Sequence, residues 1–225
     1  MLFNKKEVYT FDDVKFTRDG KFTAKDEIME NIVMMERLIV PKDDTLSLEK
    51  IKNYVSKLPH KQHNEEEFRK RTASEIVKSG YSIGCTDDAL VFITLARQCG
   101  IPARYVETFK EDWIEHGDLE GKIEGHVFAS IKMDDGGWKI YDPAKGSRSE
   151  YMVREEDSTH YCIYLELGIG TDFSEIYPKT NETKDENGRI IKVEYSKTPV
   201  CIGNYKELRK AAKKLKQRIE LSKQQ

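Results

Sequence analysis

The cysteine at position 85 stands where a buried helix is predicted to begin. The stretch from Cys85 to Cys99 is almost entirely apolar after its first turn, which is typical of a helix packed inside a core. Backbone N–H groups and the helix dipole at such a start stabilise a thiolate, and the same N–H groups can hold the oxyanion of a carbonyl under attack. Gly84 lets a substrate or backbone approach the thiol closely. The alternative is a structural cysteine, because burial is the commonest role of a free thiol.

A histidine and an aspartate lie on two consecutive predicted strands after this helix. His126 begins the first strand and Asp142 follows the second, and Asp135-Gly-Gly between the strands is a hairpin turn signal. If the loop is odd in length and centred on Asp135, His126 lies opposite Ala144 and shares a face of the hairpin with Asp142. An even loop would place them on opposite faces. In the odd register the carboxylate can orient the imidazole, whose other nitrogen can then serve a thiol.

Hydrophobic spacing predicts three helices in the part of the chain before Cys85. The first covers residues 25–40. Ser47 is the predicted N-cap of the second, and the third covers residues 65–78. Residues 1–24 are predicted to be irregular or to form an edge strand. An α-rich segment therefore precedes the buried helix.

Strands dominate the part of the chain after the buried helix. The strand-like runs are residues 103–109, 125–133, 137–141, 160–167 and 190–195. Two polar stretches, 111–121 and 182–189, are predicted to be loops, and an amphipathic helix closes the chain at 204–221. Because helices come first, then a buried helix and then antiparallel strands, the order of elements predicts the α+β fold class.

Composition excludes several classes of function. Thirty-eight basic and forty acidic residues give a formal net charge of −2 over 225 residues, so neither a nucleic acid nor an anionic membrane is an expected partner. No apolar run is long enough to cross a membrane, and no apolar leader precedes the charged start, so we expect a cytoplasmic protein. The four cysteines include no C-x-x-C pair, so we expect no structural zinc site and a reducing compartment.

The motifs around these residues resemble those of the transglutaminase-like superfamily. The run from Gly84 to Val106 resembles the core motif of that superfamily, and segments 125–129 and 137–143 resemble its second and third motifs in the same order. The resemblance covers about residues 70–145. It implies a papain-like core, in which the nucleophile starts a buried helix packed on an antiparallel sheet. It also implies a catalytic triad of Cys85, His126 and Asp142.

The resemblance implies further details of the site. The family takes a second oxyanion donor from a side chain upstream of the nucleophile, for which Tyr81 is the candidate in this chain. The sequence has Thr86-Asp-Asp after the cysteine where the animal cross-linking enzymes have Trp-Val-Phe, and it lacks a counterpart of their calcium-binding segments. It also lacks the upstream C-x-x-C pairs of peptide:N-glycanase. We therefore expect no metal and no cofactor.

These observations lead us to expect one transglutaminase-like α+β domain over residues 1–225, with an α-rich extension at 1–69. The expected function is that of a cysteine hydrolase, which cleaves amide or peptide bonds in a protein or peptide substrate through a thioester. The alternatives are acyl transfer to an amine, as in protein cross-linking, and a catalytically silent protein-binding module. Specificity is expected to lie in the loops at 107–124 and 144–160.

Overall fold

The computed structural model describes residues 15–133, 136–144, 164–187 and 190–223. The helices are α1 (Glu27–Met35), α2 (Asp44–Ser56), α3 (Ala73–Ser79), α4 (Cys85–Gln98), α5 (Glu111–His116) and α6 (Tyr205–Ser222). The strands are β1 (Ala103–Lys110), β2 (Gly125–Lys132), β3 (Trp138–Tyr141), β4 (Tyr164–Gly170), β5 (Ile176–Lys184) and β6 (Ile190–Tyr195). This combination of helices with an antiparallel sheet confirms the predicted α+β fold class.

Within the described residues the strands form a six-stranded sheet in the order β3-β2-β1-β4-β5-β6, and neighbouring strands run antiparallel. α4 packs on β1 and β2, and α1, α2 and α3 pack around α4. A second, smaller apolar cluster on the same strands includes Phe16, Phe128 and Trp138. Because apolar groups cover both faces of β1 and β2, these two strands are buried along most of their length.

The helix predicted to start at Cys85 is confirmed. It ends at Gln98, and every residue from Thr86 to Arg97 is buried. Gly100 follows with a left-handed φ of 81°, a conformation that glycine adopts without steric cost. The helix is therefore a rigid element on which the thiol of its first residue can be held.

The first two helices differ from their predicted boundaries. α1 ends at Met35 rather than at residue 40, because Arg37 takes a left-handed φ of 50° that stops the helix. The predicted N-cap Ser47 is wrong. Asp43 caps α2 by accepting a 2.8 Å hydrogen bond from the N–H of Leu46, and the Ser47 hydroxyl donates to the carbonyl of Asp43 from inside the helix.

The third helix is much shorter than the predicted span of 65–78. A capping box of Thr72 and Glu75 sets its start, and the preceding residues form turns. In these turns Arg69 takes a left-handed φ of 57°. Its side chain is buried against Glu107 of β1, so a tertiary ion pair overrides the local helical pattern.

Two elements in the second half of the chain were not predicted. α5 lies within the stretch 111–121, where it buries Trp113 and Ile114 among charged neighbours. β5 includes part of the loop predicted at 182–189, and it lacks the apolar alternation by which strands are recognised in sequence. Of the strand predicted at 160–167, residues 164–167 belong to β4, which continues to residue 170, and residues 160–163 are outside the described part of the chain.

The C-terminal helix lies one residue further along the chain than predicted. Asn204 caps α6 by accepting a 3.0 Å hydrogen bond from the N–H of Glu207. Three of its apolar residues, Leu208, Ala212 and Leu215, are buried. None of the helices in the described ranges is long and apolar enough to cross a membrane.

Candidate active site

The thiol of Cys85 lies at the start of α4. The preceding residue, Gly84, has a backbone conformation that is unfavourable for other residue types. Gly84 is the N-cap and has a φ of 148°, a backbone conformation that side chains with a Cβ rarely adopt. A Cβ at this position would meet no atom within 4 Å, so the space in front of the helix start is open. No side chain caps the helix at Gly84. The N–H groups of the first turn are therefore oriented for a ligand oxygen.

The turn that leads into α4 is held by side chains of its neighbours. The carboxylate of Asp87 accepts a 3.0 Å hydrogen bond from the N–H of Ile83 and pairs with Arg71. The hydroxyl of Ser82 accepts a 3.1 Å hydrogen bond from the N–H of Gly84. Burial raises the pKa of Asp87 above its ordinary value, although the N–H of Ile83 and the Arg71 guanidinium oppose this. The backbone that presents the thiol is thus fixed from several directions.

The β2–β3 hairpin has the register that brings His126 and Asp142 to one face. Ala129 pairs with Tyr141, and Lys132 pairs with Trp138, so the loop between the strands has five residues and is centred on position 135. The condition set by the sequence, an odd loop, is therefore met. The Nε2 atom of His126 lies 2.8 Å from Oδ2 of Asp142.

Asp142 is a buried and anchored partner for the imidazole. Its side chain is 1% exposed, and its Oδ1 accepts a 2.9 Å hydrogen bond from the N–H of Ala144. The side chain of His126 is 17% exposed and packs edge-on against Phe128, with 4.6 Å between ring centroids. The carboxylate and the aromatic ring together fix the orientation of the imidazole ring.

The side chain of Cys85 lies near the imidazole of His126 and is one of the groups that raise its pKa. Burial disfavours the charged imidazole, but its interactions with Asp142 and Cys85 outweigh burial and raise the pKa of His126 to about 10. The structure thus brings Cys85, His126 and Asp142 together, and it favours a protonated imidazole beside the sulfur at neutral pH.

Tyr81, the candidate oxyanion donor, points its hydroxyl at a carboxylate. The hydroxyl donates to Glu67, at 2.9 Å from Oε1 and 3.1 Å from Oε2. Two cations lie over the ring of Tyr81, namely Lys61 at 3.6 Å and Arg71 at 4.6 Å from the ring centroid. To serve an oxyanion, the hydroxyl would have to release Glu67.

Two pairs of ionisable side chains were not recognised in the sequence. The first joins His60 and Asp88, with 3.1 Å between Nε2 and Oδ2. The second is the buried pair of Arg69 and Glu107, with Nη2 2.7 Å from Oε2. The available signal was Glu107 itself, the single carboxylate in the middle of a strand, because a buried carboxylate requires a partner.

Within the described residues, no group of three or more His, Cys, Asp or Glu side chains is arranged to hold a metal ion. Of the loops predicted to set specificity, residues 107–110 belong to β1 and 111–116 to α5. Residues 145–160 of the second loop lie outside the described part of the chain.

Comparison with known protein families gives a match that contains this site. Residues 37–143 match the sequence model of the transglutaminase-like superfamily, so this segment of the chain is similar to that superfamily. The segment contains all three motifs on which the resemblance was based, and it includes Cys85, His126 and Asp142. The resemblance to the transglutaminase-like superfamily that was recognised in the sequence is therefore confirmed.

Comparison with solved structures gives a further similarity. The chain resembles a proposed cysteine protease from Cytophaga hutchinsonii, with a TM-score of 0.49 and 15% sequence identity. The match covers 73% of this chain and 49% of that protein, so the chain spans about half the length of its structural relative. No curated protein matches the chain.

Proposed function

We propose that the protein is a cysteine hydrolase that cleaves amide or peptide bonds through a thioester intermediate. The observation that carries the proposal is the 2.8 Å contact of His126 with buried Asp142, next to a cysteine that stands at an uncapped helix start. A nucleophile within reach of a base, with the base oriented by a third group, is the arrangement that nucleophilic catalysis requires. The transglutaminase-like assignment of residues 37–143 supports a cysteine-type enzyme.

In the first step, the Cys85 thiolate attacks the carbonyl carbon of the substrate, and the carbonyl oxygen becomes an oxyanion. The N–H groups at the start of α4 stabilise that oxyanion. Since Nε2 of His126 is engaged by Asp142, Nδ1 is the nitrogen that serves the sulfur and passes its proton to the leaving amine. The C–N bond breaks, the amine leaves and the acyl group remains on sulfur as a thioester.

In the second step, the same imidazole must act as a base. The negative sulfur is one of the groups that raise the pKa of His126, and it is neutral once the thioester has formed. The pKa of His126 then falls, so the imidazole can accept a proton from the attacking water. Water releases the acid and regenerates the thiolate–imidazolium pair. An amine that replaces water in this step would yield the transferase product.

The first test is the rate of iodoacetamide alkylation of Cys85 as a function of pH, resolved by mass spectrometry of each cysteine. Cys201 is exposed and serves as the internal control. Cys99 should react slowly throughout, because burial raises its pKa to about 12. At pH 6 we expect Cys85 to react about 30-fold or more faster than Cys201, because a thiolate rather than a thiol is the nucleophile.

The control variant is His126→Ala, in which the low-pH reactivity of Cys85 should disappear while that of Cys201 is unchanged. If Cys85 and Cys201 show parallel pH profiles and neither responds to the variant, the proposed function is wrong and the binding-module alternative gains support. Peptide and amide libraries then identify the substrate. If more acyl group is transferred to an amine than is hydrolysed at millimolar amine, the transferase is favoured instead.

A further inference from the structure

The ring of Tyr164 contacts the imidazole of His126 and has no role in the mechanism given above. The ring centroids of His126 and Tyr164 are 5.7 Å apart, and those of His126 and Phe128 are 4.6 Å apart. Phe128 and Tyr164 also contact each other, with 5.5 Å between their centroids. The three rings therefore form a closed triangle in which each ring contacts the other two.

The strand register brings the three rings to one face of the sheet. His126 of β2 lies opposite Thr108 of β1, and Tyr164 of β4 lies opposite Lys110 of β1. Residues two apart in a strand share a face, and so do residues that lie opposite each other on antiparallel strands. His126, Phe128 and Tyr164 thus lie on the same face, on strands to either side of β1.

The contact between His126 and Tyr164 has to cross β1, the strand between their own. β2 and β4 are two strand spacings apart, roughly 10 Å, so only long side chains can meet over the middle strand. The residue of β1 at this level is Thr108, whose hydroxyl donates to the carbonyl of His126 at 2.8 Å. Its short side chain is turned towards the backbone of β2, which leaves room for the two rings to meet.

The geometry of this contact suits a charged imidazole. The planes of His126 and Tyr164 are inclined by 38°, so the rings are closer to stacked than to edge-on. The face of an aromatic ring carries negative charge density and attracts a cation within about 6 Å of the ring centroid. The protonated imidazole is the form that gives its proton to the leaving amine. The ring of Tyr164 therefore favours the form of His126 that the first step requires.

The same contact opposes rotation of the imidazole. Nε2 of His126 lies 2.8 Å from Oδ2 of Asp142, and this contact leaves Nδ1 for the sulfur. A half-turn about the Cβ–Cγ bond would break it. The rings of Phe128 and Tyr164 meet the imidazole at different inclinations, 80° and 38°. Such a rotation would therefore displace at least one of the two rings.

We propose that Tyr164 is a positioning residue, whose ring holds the imidazole of His126 against Asp142 and stabilises the positive charge of that imidazole. The inference rests on the proposed function in one respect, that His126 is the acid and base of the reaction. Tyr164 lies beyond residue 143, where the match to the transglutaminase-like superfamily ends. Its role therefore follows from ring contacts within this chain.

Several ionisable groups lie on the elements around His126. Among the described residues they include Cys85 at the start of α4, Asp142 after β3, Glu166 of β4 and the Lys110–Glu124 ion pair. Substitutions of Tyr164 leave all of these side chains in place. A change in the titration of His126 can therefore be assigned to the ring at position 164.

The test follows the titration of His126 by nuclear magnetic resonance in protein labelled with nitrogen-15 histidine, and His126→Ala identifies its signals. Tyr164→Leu removes the ring and should lower the midpoint by about 0.5–1 pH unit, the shift expected for loss of a cation–π contact. Tyr164→Phe keeps the ring and should stay within about 0.3 unit of the wild type.

Kinetics with a substrate found by library screening provide the second measurement. Because the imidazole is less well oriented, Tyr164→Leu should lower kcat about tenfold and leave KM within about threefold of the wild type. Tyr164→Phe should restore kcat to within about twofold of the wild type, since it keeps the ring contact.

A fluorinated ring separates the electrostatic contribution from packing. Pentafluorophenylalanine at position 164 has nearly the shape of phenylalanine, but its fluorine atoms withdraw charge from the ring face and abolish the attraction for a cation. The midpoint of His126 should fall at least as far as in Tyr164→Leu. Near-ultraviolet circular dichroism verifies folding; if Tyr164→Leu does not fold, the comparison of phenylalanine with its fluorinated form decides.

Trp138→Leu is the matched control for loss of an aromatic ring. Trp138 belongs to the same apolar cluster as Phe128 and Tyr164, but it pairs with Lys132, six residues beyond His126 and roughly 20 Å along β2. This variant should lower stability without moving the midpoint of His126. An equal shift in Trp138→Leu would contradict the inference.

If the midpoint of His126 stays at its wild-type value in the leucine and pentafluorophenylalanine variants, the inference is wrong whatever the effect on kcat. This failure is distinct from failure of the proposed function. Parallel alkylation profiles of Cys85 and Cys201 would overturn the hydrolase proposal, whereas the titration of His126 is measured without any reaction at the thiol.

Discussion

Two histidine–aspartate pairs lie near the nucleophile helix, and they are similar in geometry. His126 and Asp142 have 2.8 Å between Nε2 and Oδ2, and His60 and Asp88 have 3.1 Å between the same two atom types. Both aspartate side chains are 1% exposed. The histidines differ, since the side chain of His126 is 17% exposed and that of His60 is 35% exposed. The pKa of His126 responds, in addition, to the side chain of Cys85.

The two pairs differ in which group has its pKa raised. In the first pair, the interactions of His126 with Asp142 and Cys85 outweigh burial, and the pKa of His126 rises to about 10. In the second, burial dominates over the hydrogen bonds of Ser82 and His60 and raises the pKa of Asp88 to about 6. The raised pKa therefore keeps the imidazole of His126 charged at neutral pH, whereas the raised pKa of Asp88 lies close to neutral pH. A histidine–aspartate contact alone therefore does not define a catalytic base, because the third partner decides which group holds the proton.

The largest expected effect distinguishes the two histidines. We expect His126→Ala to lower hydrolysis of a substrate found by library screening by about 10⁴-fold or more, because proton transfer to the leaving group is lost. His60→Ala should stay within about threefold of the wild type. The measurement is kcat/KM at pH 7 for both variants. A comparable loss in His60→Ala would show that the second pair takes part in the reaction.

The next effect distinguishes the two aspartates. Asp142→Asn should lower kcat by about 10³-fold, because an amide can present the wrong tautomer of the imidazole and cannot stabilise its charge. Asp88→Asn keeps the shape of a buried acceptor and should leave kcat within about threefold of the wild type. The comparison requires kcat rather than KM alone, because Asp142 stabilises the transition state and its loss therefore lowers kcat. Equal losses in the two variants would contradict the distinction drawn here.

The sequence predicted one of these pairs and missed the other for a physical reason. His126 and Asp142 lie on consecutive strands joined by a glycine turn, and strand register is a local property that the loop length fixes. His60 and Asp88 are 28 residues apart and meet because a β-bridge joins His60 to Ser82. Such a contact depends on how the helices pack, which hydrophobic spacing does not specify.

The same reasoning accounts for the rest of the fold. α4 was predictable because its apolar run is continuous and a glycine follows it. Arg69 was placed in a predicted helix because the local pattern is helical, whereas its buried pair with Glu107 requires a left-handed turn. β5 was missed because much of its exposed surface is polar, so its hydrogen bonds to β4 and β6 leave little trace in the sequence.

The smallest expected effect separates the two pairs by the pH at which each changes stability. The pKa of His126 is raised in the folded protein, from 6.5 to about 10, so its stabilising contribution is complete below about pH 6.5 and is lost as the pH rises towards 10. The difference in unfolding free energy between wild type and His126→Ala should therefore shrink between pH 6.5 and pH 10, by on the order of 1–3 kcal/mol. The packing lost in the variant is constant across pH and cancels in this comparison.

Asp88→Asn provides the matched contrast in the same unfolding experiment. Its pKa is also raised on folding, from 3.8 to about 6, so the stability contributed by the protonated carboxyl is complete below pH 3.8 and is lost as the pH rises through 6. The difference between wild type and Asp88→Asn should change between pH 4 and pH 6 and stay level above it. A difference that instead changed between pH 6.5 and pH 10 would mean that Asp88 and His60 share the proton held by the first pair. The two pairs would then have to be treated as one titrating network.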